Sequence, residues 1–254
     1  MIVSGAQIEA QDVVRSFPES GTVVDRVSLQ IAPGEFVALL GPSGCGKSTF
    51  LRLMAGLDQP DAGKVSISVP GGGAISRGFV FQEPTLMPWR TVLRNVTLPW
   101  ELMGVGRADS ERRALDELAR VGLKDVASRF PFQLSGGMKM RASVARALVA
   151  RPNLLLLDEP FAALDETSRH ALQVELRRIW ATLGMTILFV THSLSEAVFL
   201  ANRVVVFSKR PARILDDHRI ELPEERTHDL RMEPAFHREV KRLYDAAPAE
   251  EALT

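Results

Sequence analysis

The sequence predicts an α/β domain with a mainly parallel core sheet, an antiparallel β portion and an inserted helical subdomain. Three observations carry that prediction. Apolar, strand-length runs at Glu35–Leu40, Leu154–Leu157, Thr186–Val190 and Arg203–Ser208 are separated by helix-length stretches. Strands that alternate with helices imply a parallel sheet with its ligand at the carboxyl ends. The first third instead alternates short β-rich runs with turn signals, and Thr91 to Ala150 turns helical between the two halves of the sheet.

Taken in order, Val23–Ile31 reads as a strand, Pro33-Gly34 as a turn and Glu35–Leu40 as a second strand. A further turn at Asp58–Gly63 precedes the alternating Lys64–Val69, and Gly71–Gly73 reads as a plain loop because no helix signal follows it. Asp109–Arg120 predicts a helix, with Ser110 as its N-cap and Leu115 and Leu118 on one face. Another helix is expected from Gly136 to about Ala150, then strand Leu154–Leu157, helix Thr167–Leu183, strand Thr186–Val190, helix Leu194–Ala201 and strand Arg203–Ser208. From Asp216 the chain becomes more polar, with one helical pattern at Pro234–Tyr244 and an end expected to fray at Glu250–Thr254. The expected division is therefore a domain at 1–215, with the helical subdomain at about 84–150, and an appendage at 216–254.

Composition narrows the function. An apolar fraction of 46% supports a substantial core. Lys plus Arg equals Asp plus Glu at 31 each, so no global positive field recruits nucleic acid. A single cysteine, Cys45, fits a reducing compartment. The start lacks the build of a secretion signal, and the longest apolar runs are too short to cross a bilayer. The expectation is a cytoplasmic protein that relies on something else to cross any membrane. His218, His228 and His237 show no metal-ligand spacing.

Gly41-Pro42-Ser43-Gly44-Cys45-Gly46-Lys47-Ser48 is a G-x-x-x-x-G-K-[ST] loop between a strand and the helical Thr49–Gly56. Its glycines let backbone N–H groups converge on phosphate oxygens, and the following helix points its positive end at the same place. Lys47 supplies a point charge for the β and γ phosphates of ATP, and the Ser48 hydroxyl suits Mg²⁺. Leu154–Leu157 then runs into Asp158-Glu159, two carboxylates at the tip of a buried strand. Such acids repel each other without a cation, so Asp158 is expected to hold Mg²⁺, directly or through water. Glu159 is placed to orient or deprotonate a water in line with the γ phosphate. Ser135-Gly136-Gly137 opens another helix whose cap and open N–H groups suit phosphate. MgATP carries a net charge of about −2. Lys47 and one helix end supply roughly +1.5. A second helix end would bring balance, from the same chain or from another copy.

In their order, the phosphate loop, Gln82, Leu134-Ser-Gly-Gly137, Leu154–Glu159, Ala163-Leu-Asp165 and His192 resemble the nucleotide-binding domains of ABC transporters over residues from about 8 to 210. The resemblance implies a P-loop ATPase that works as a head-to-tail homodimer, each ATP lying between one phosphate loop and the partner's Ser-Gly-Gly helix. It assigns Ser135, Gly136 and Gly137 to the other subunit's ATP, Gln82 to the metal and attacking water, His192 to the γ phosphate and Asp165 to the interface. Phe17 lies at the position that stacks on adenine. Met138 and Ala163 depart from the commonest pattern without removing a group that hydrolysis needs.

Glu83–Val96 and Val190–Arg213 resemble importers of the nitrate, sulfonate and taurine group. That implies integral membrane permease subunits as partners and, indirectly, a substrate-binding protein, with work done at the cytoplasmic face of the membrane. Residues 84–100, with Pro88, Trp89 and Trp100, would receive the permease. Cys45, close to Lys47, is expected to favour the thiolate, so that alkylation blocks ATPase activity and MgATP protects. Rival readings fit less well. A chromosome-organising ATPase needs a long coiled coil, a translation ATPase two cassettes, and a small-molecule kinase would leave the Ser-Gly-Gly helix and His192 unexplained.

Overall fold

Alternate residues of the apolar strands feed two separate cores on opposite faces of one sheet. The computed structural model describes residues 3–247, and the expected fraying at Glu250–Thr254 lies outside the described residues. The central sheet has the order β5-β6-β7-β3-β8-β9, made of Arg77–Val80 (β5), Leu154–Asp158 (β6), Thr186–Thr191 (β7), Phe36–Leu40 (β3), Arg203–Phe207 (β8) and Ile214–Arg219 (β9). All its pairings are parallel except β8 with β9. Leu155, Leu157, Ile187, Phe189, Phe36, Ala38, Val204 and Val206 face one core, and Leu154, Leu156, Leu188, Val190, Val37, Leu39, Val205 and Phe207 face the other. This is the two-residue period of a strand buried on both sides.

The second core is closed by a three-stranded antiparallel sheet of order β2-β1-β4: Gln7–Phe17 (β1), Gly21–Ile31 (β2) and Ala62–Ser68 (β4). Helix α1 (Lys47–Ala55) lies between the two sheets and buries Phe50, Leu51, Leu53 and Met54. It begins two residues before the expected start, because Gly46 turns the chain into it, and it ends at Gly56 in the left-handed region.

The first core carries the helices. Val92–Val96 (α2), Leu98–Leu102 (α3), Arg107–Arg120 (α4) and Gly136–Leu148 (α5) form the inserted layer. Glu166–Leu183 (α6), Leu194–Leu200 (α7) and Pro234–Ala246 (α8) follow. Ser110 does not cap α4. That helix starts at Arg107 after Gly106, and Ser110 is buried in its interior, its hydroxyl donating to the Arg107 carbonyl at 2.9 Å. A serine inside a helix satisfies itself in this way when the first turn lies earlier than its capping propensity suggests. The expected boundary between 215 and 216 falls inside β9, and α8 packs on α7 with Phe236 and Leu243 in the first core. No helix among the described residues is long and apolar enough to cross a membrane.

Leu156 has no exposed surface and sits in the middle of the central sheet. Leu156→Ala removes three carbons from a layer that cannot collapse, so stability to urea should fall by about 2–5 kcal/mol. The check is the unfolding midpoint of purified variant and parent.

Candidate active site

The carboxyl ends of β3, β6 and β7 lie side by side, and each delivers part of one site. From β3 the chain enters the loop Gly41–Gly46. At Gly46 (φ 123°) a Cβ would sit 2.8 Å from the Val23 carbonyl oxygen and 3.1 Å from Ala212 Cβ, so only glycine fits. Gly44 (φ 72°) also takes the left-handed conformation. Pro42 is buried and Ser43 exposed at the loop's tip. Lys47 is 3% exposed, and its Nζ donates to the Gly41 and Pro42 carbonyls, both at 2.6 Å. The lysine thus curls the loop around its own ammonium group.

Ser48 reaches across the sheet, its hydroxyl donating to Asp158 Oδ1 at 2.7 Å. Asp158 is 8% exposed at the end of β6, and burial pushes its carboxyl up, with the Ser48 hydrogen bond opposing the shift. A buried carboxylate whose hydrogen bond comes from a neutral hydroxyl carries charge that a hard cation with oxygen ligands would neutralise. The pair therefore fits Mg²⁺. No three His, Cys, Asp or Glu side chains converge among the described residues.

Glu159 has φ 44°, and its N–H donates to the Val190 carbonyl at 3.1 Å, which turns the residue off the strand. His192, just past β7, places Nδ1 3.3 Å from Glu159 Oε2. Behind it the Thr191 hydroxyl donates at 2.7 Å to the buried Glu196, which also anchors the turn into α7. Strand β5 ends with Val80 paired to Leu157. Gln82, two residues on, leaves the sheet level with Glu159 and is exposed.

Phe17 ends β1 as a half-buried ring. The Arg15 guanidinium lies 4.8 Å from its centroid and is itself fixed by Asp61 at 2.7 Å. Phe17, Ser20, Val23, Gly44, Gly46, Lys47, Ser48, Thr49, Glu159 and Arg210 line one cleft of about 270 Å³. An aromatic platform, a phosphate loop and a carboxylate in one cleft match the chemistry of a nucleotide.

Ser135-Gly136-Gly137 stands apart from this cleft. Ser135 caps α5 by accepting from the Met138 N–H at 3.3 Å, and Ser135 and Gly136 are exposed. A Cβ on Gly137 would meet Leu164 Cγ at 3.6 Å, so the turn abuts the segment before Asp165. Asp165 is exposed and caps α6. The Ser168 N–H at 2.9 Å holds its carboxyl below the usual range. The structure thus places Phe17, Gly44, Gly46, Lys47, Ser48, Thr49 and Glu159 in the cleft, and Ser135, Gly136 and Asp165 on this exposed face.

One reading needs correction. Cys45 is 2% exposed and packs in the second core, because the loop's polar side is its backbone. It is no open target for alkylation. Trp100 is half-buried, and its Nε1 donates to the Val149 carbonyl at 2.8 Å under the Arg113 guanidinium. Trp89 is 73% exposed. Arg210 was missed as a cleft residue. It belongs to a Lys-Arg-Pro turn whose charge is visible in sequence but whose fold back to Ser20 is not.

The profile of the ABC transporter family matches residues 24–162. An aliphatic sulfonates import ATP-binding protein of Mesorhizobium japonicum is 48% identical over 73% of this chain and 70% of its own length. A taurine import ATP-binding protein of Pseudomonas aeruginosa is 40% identical over 94% of this chain and 95% of its own. A dimeric ATP-binding cassette in a post-hydrolysis state, bound to ADP and Pi, superposes with TM-score 0.77 at 29% identity, covering 85% of this chain and all of that one.

Asp158 also has a measurable stability signature. The folded carboxyl holds its proton to higher pH than the unfolded one, whose ordinary value is near 3.8. Folding stability therefore falls as pH rises above that value, and the loss persists at neutral pH. With chelator present, Asp158→Asn should melt higher than the parent at pH 7, and the two should converge at pH 3.5.

Proposed function

Because the chain belongs to the ABC transporter family, as an ATP-binding and ATP-hydrolysing subunit of importer type, we propose that it powers uptake of a sulfonate-, taurine- or nitrate-like anion through separate permease subunits. It works at the cytoplasmic face of the membrane as a head-to-tail homodimer, with a substrate-binding protein as an indirect partner. The observation that carries the dimer is the separation of the two groups of residues. The capped N-terminus of α5 suits phosphate, yet Ser135–Gly137 lie outside the cleft of their own chain and are open to a second copy. The dimeric cassette bound to ADP and Pi supports the same reading.

In this reading ATP stacks its base on Phe17 and threads its phosphates between Gly41–Thr49 of one subunit and Ser135, Gly136 and Gly137 of the other. Lys47 exchanges its two carbonyl partners for β and γ oxygens. Ser48, Asp158 and Gln82 would hold Mg²⁺, which would supply positive charge to the phosphates. Glu159 takes the proton of the attacking water. His192 holds the Glu159 carboxylate in place and contacts the γ phosphate, and Asp165 joins the two sites. ATP thereby closes the dimer, and hydrolysis releases it. Trp89, exposed beside the loop that follows Gln82, anchors the permease.

The test is Glu159→Gln, which keeps the shape of the site and removes the base. With MgATP the variant should run at twice the monomer mass by light scattering, with turnover reduced at least about 100-fold. The parent should hydrolyse ATP and return to monomer. A variant that stays monomeric at saturating MgATP would overturn the sandwich. Chelating Mg²⁺ should abolish turnover in the parent.

A further inference from the structure

The nucleotide cleft contains a cation that no phosphate-loop motif supplies. Arg210 lies in the turn between β8 and β9, and this turn is clamped. Ser208 N–H donates to the Arg213 carbonyl at 2.8 Å, and Arg213 N–H donates to Ser208 Oγ at 3.0 Å. Ala212 N–H donates to the Val23 carbonyl at 2.8 Å, and Asp25 N–H returns a bond to Ala212 at 3.1 Å. The absent side chain of Gly46 lets Ala212 lie against the phosphate loop. The turn is therefore a wall of the cleft, fixed to β2 on one side and to the loop on the other.

From that wall the Arg210 guanidinium donates to the Ser20 carbonyl. Ser20 N–H in turn donates to the Phe17 carbonyl at 3.2 Å, which ties Arg210 to the Phe17 side, while Ala212 holds the same turn against Gly46 of the phosphate loop, so Arg210 lies between the two. Lys47, Ser48 and Glu159 line the same cleft. The Ser20 carbonyl is neutral, and among the described residues no carboxylate pairs with Arg210. A guanidinium offers five N–H donors in a planar fork suited to phosphate oxygens, so one bond to Ser20 leaves most of that capacity unused.

Resting on the reading that this cleft holds ATP, we infer that Arg210 binds the α phosphate. A nucleotide with its base on Phe17 and its terminal phosphates at Lys47 has its ribose and α phosphate between them, the stretch that Arg210 borders. The contact raises the affinity of a single chain for ATP and for ADP alike, because both carry that phosphate. It also changes the charge balance. Lys47, Arg210 and the start of α1 bring roughly +2.5 to the nucleotide, so a monomer can hold MgATP before a second copy closes on it.

Titration calorimetry on Arg210→Ala, Arg210→Lys and parent tests this, with MgATP, MgADP and 2′-deoxy-ADP as ligands. The alanine variant should lose about tenfold in affinity for all three, the scale of a charged hydrogen bond at a half-open site, and lysine should restore part of it. Equal affinity in parent and alanine variant would overturn the contact. A loss that vanishes with 2′-deoxy-ADP would assign Arg210 to the ribose instead. If the alanine variant melts early, Arg210→Gln keeps a donor for Ser20 without the charge and should show the same loss. A parent that binds no nucleotide would refute the function itself, not the role of Arg210.

Discussion

The bond from Ser48 to Asp158 spans a whole strand, and the site depends on the sheet that makes this span possible. Ser48 follows β3 and Asp158 ends β6, with β7 between them. Parallel pairing keeps the three strand ends level: Leu40 lies beside Thr191, and Val190 beside Asp158. Phosphate loop, carboxylates and His192 thus meet although more than a hundred residues separate the first from the last. A register slip of one residue would turn Asp158 to the other face and break the set.

The same arrangement concentrates charge and strain where packing is tightest. Asp158 and Lys47 are buried where β6 and β3 end, and the other residues of those two strands are apolar. Glu159 holds a left-handed backbone conformation that costs a non-glycine residue on the order of 1 kcal/mol or more. Two apolar cores, one on each face of the sheet, over-determine these strand ends and offset that cost. The cleft is polar because the layers beneath it are not.

Much of this was legible in sequence because some requirements leave few residue choices. The phosphate loop needs glycine where the backbone passes Val23 and Ala212, so its spacing was diagnostic. Buried parallel strands need unbroken apolar runs, and those at 154–157 and 186–190 emerged as strands. Features set by tertiary contact were not legible. Strand β9 is an edge strand with the sequence Ile-Leu-Asp-Asp-His-Arg, whose polar residues disguise a pairing partner of β8. The inward turn of Cys45 and the reach of Arg210 to Ser20 depend on neighbours distant in the chain. Periodicity carries no record of these.

Arg146 on α5 donates to the Pro84 and Thr85 carbonyls and to the Thr85 hydroxyl, at 3.2, 2.8 and 2.9 Å. Its three bonds weld the start of the inserted helices to the helix that begins at Gly136. Residues from 84 to 148 are therefore joined as one block, which the chain enters and leaves through two connections. The entry is Phe81–Glu83, with Gln82 at its centre, and the exit is the stretch around Arg151, where φ is 49°. Near the exit, Gly78 has no side chain, and a Cβ there would meet the Ala147 carbonyl at 2.8 Å, so α5 packs directly on β5. The block that carries the exposed Trp89 thus meets the sheet at Gly78 and joins it through Gln82.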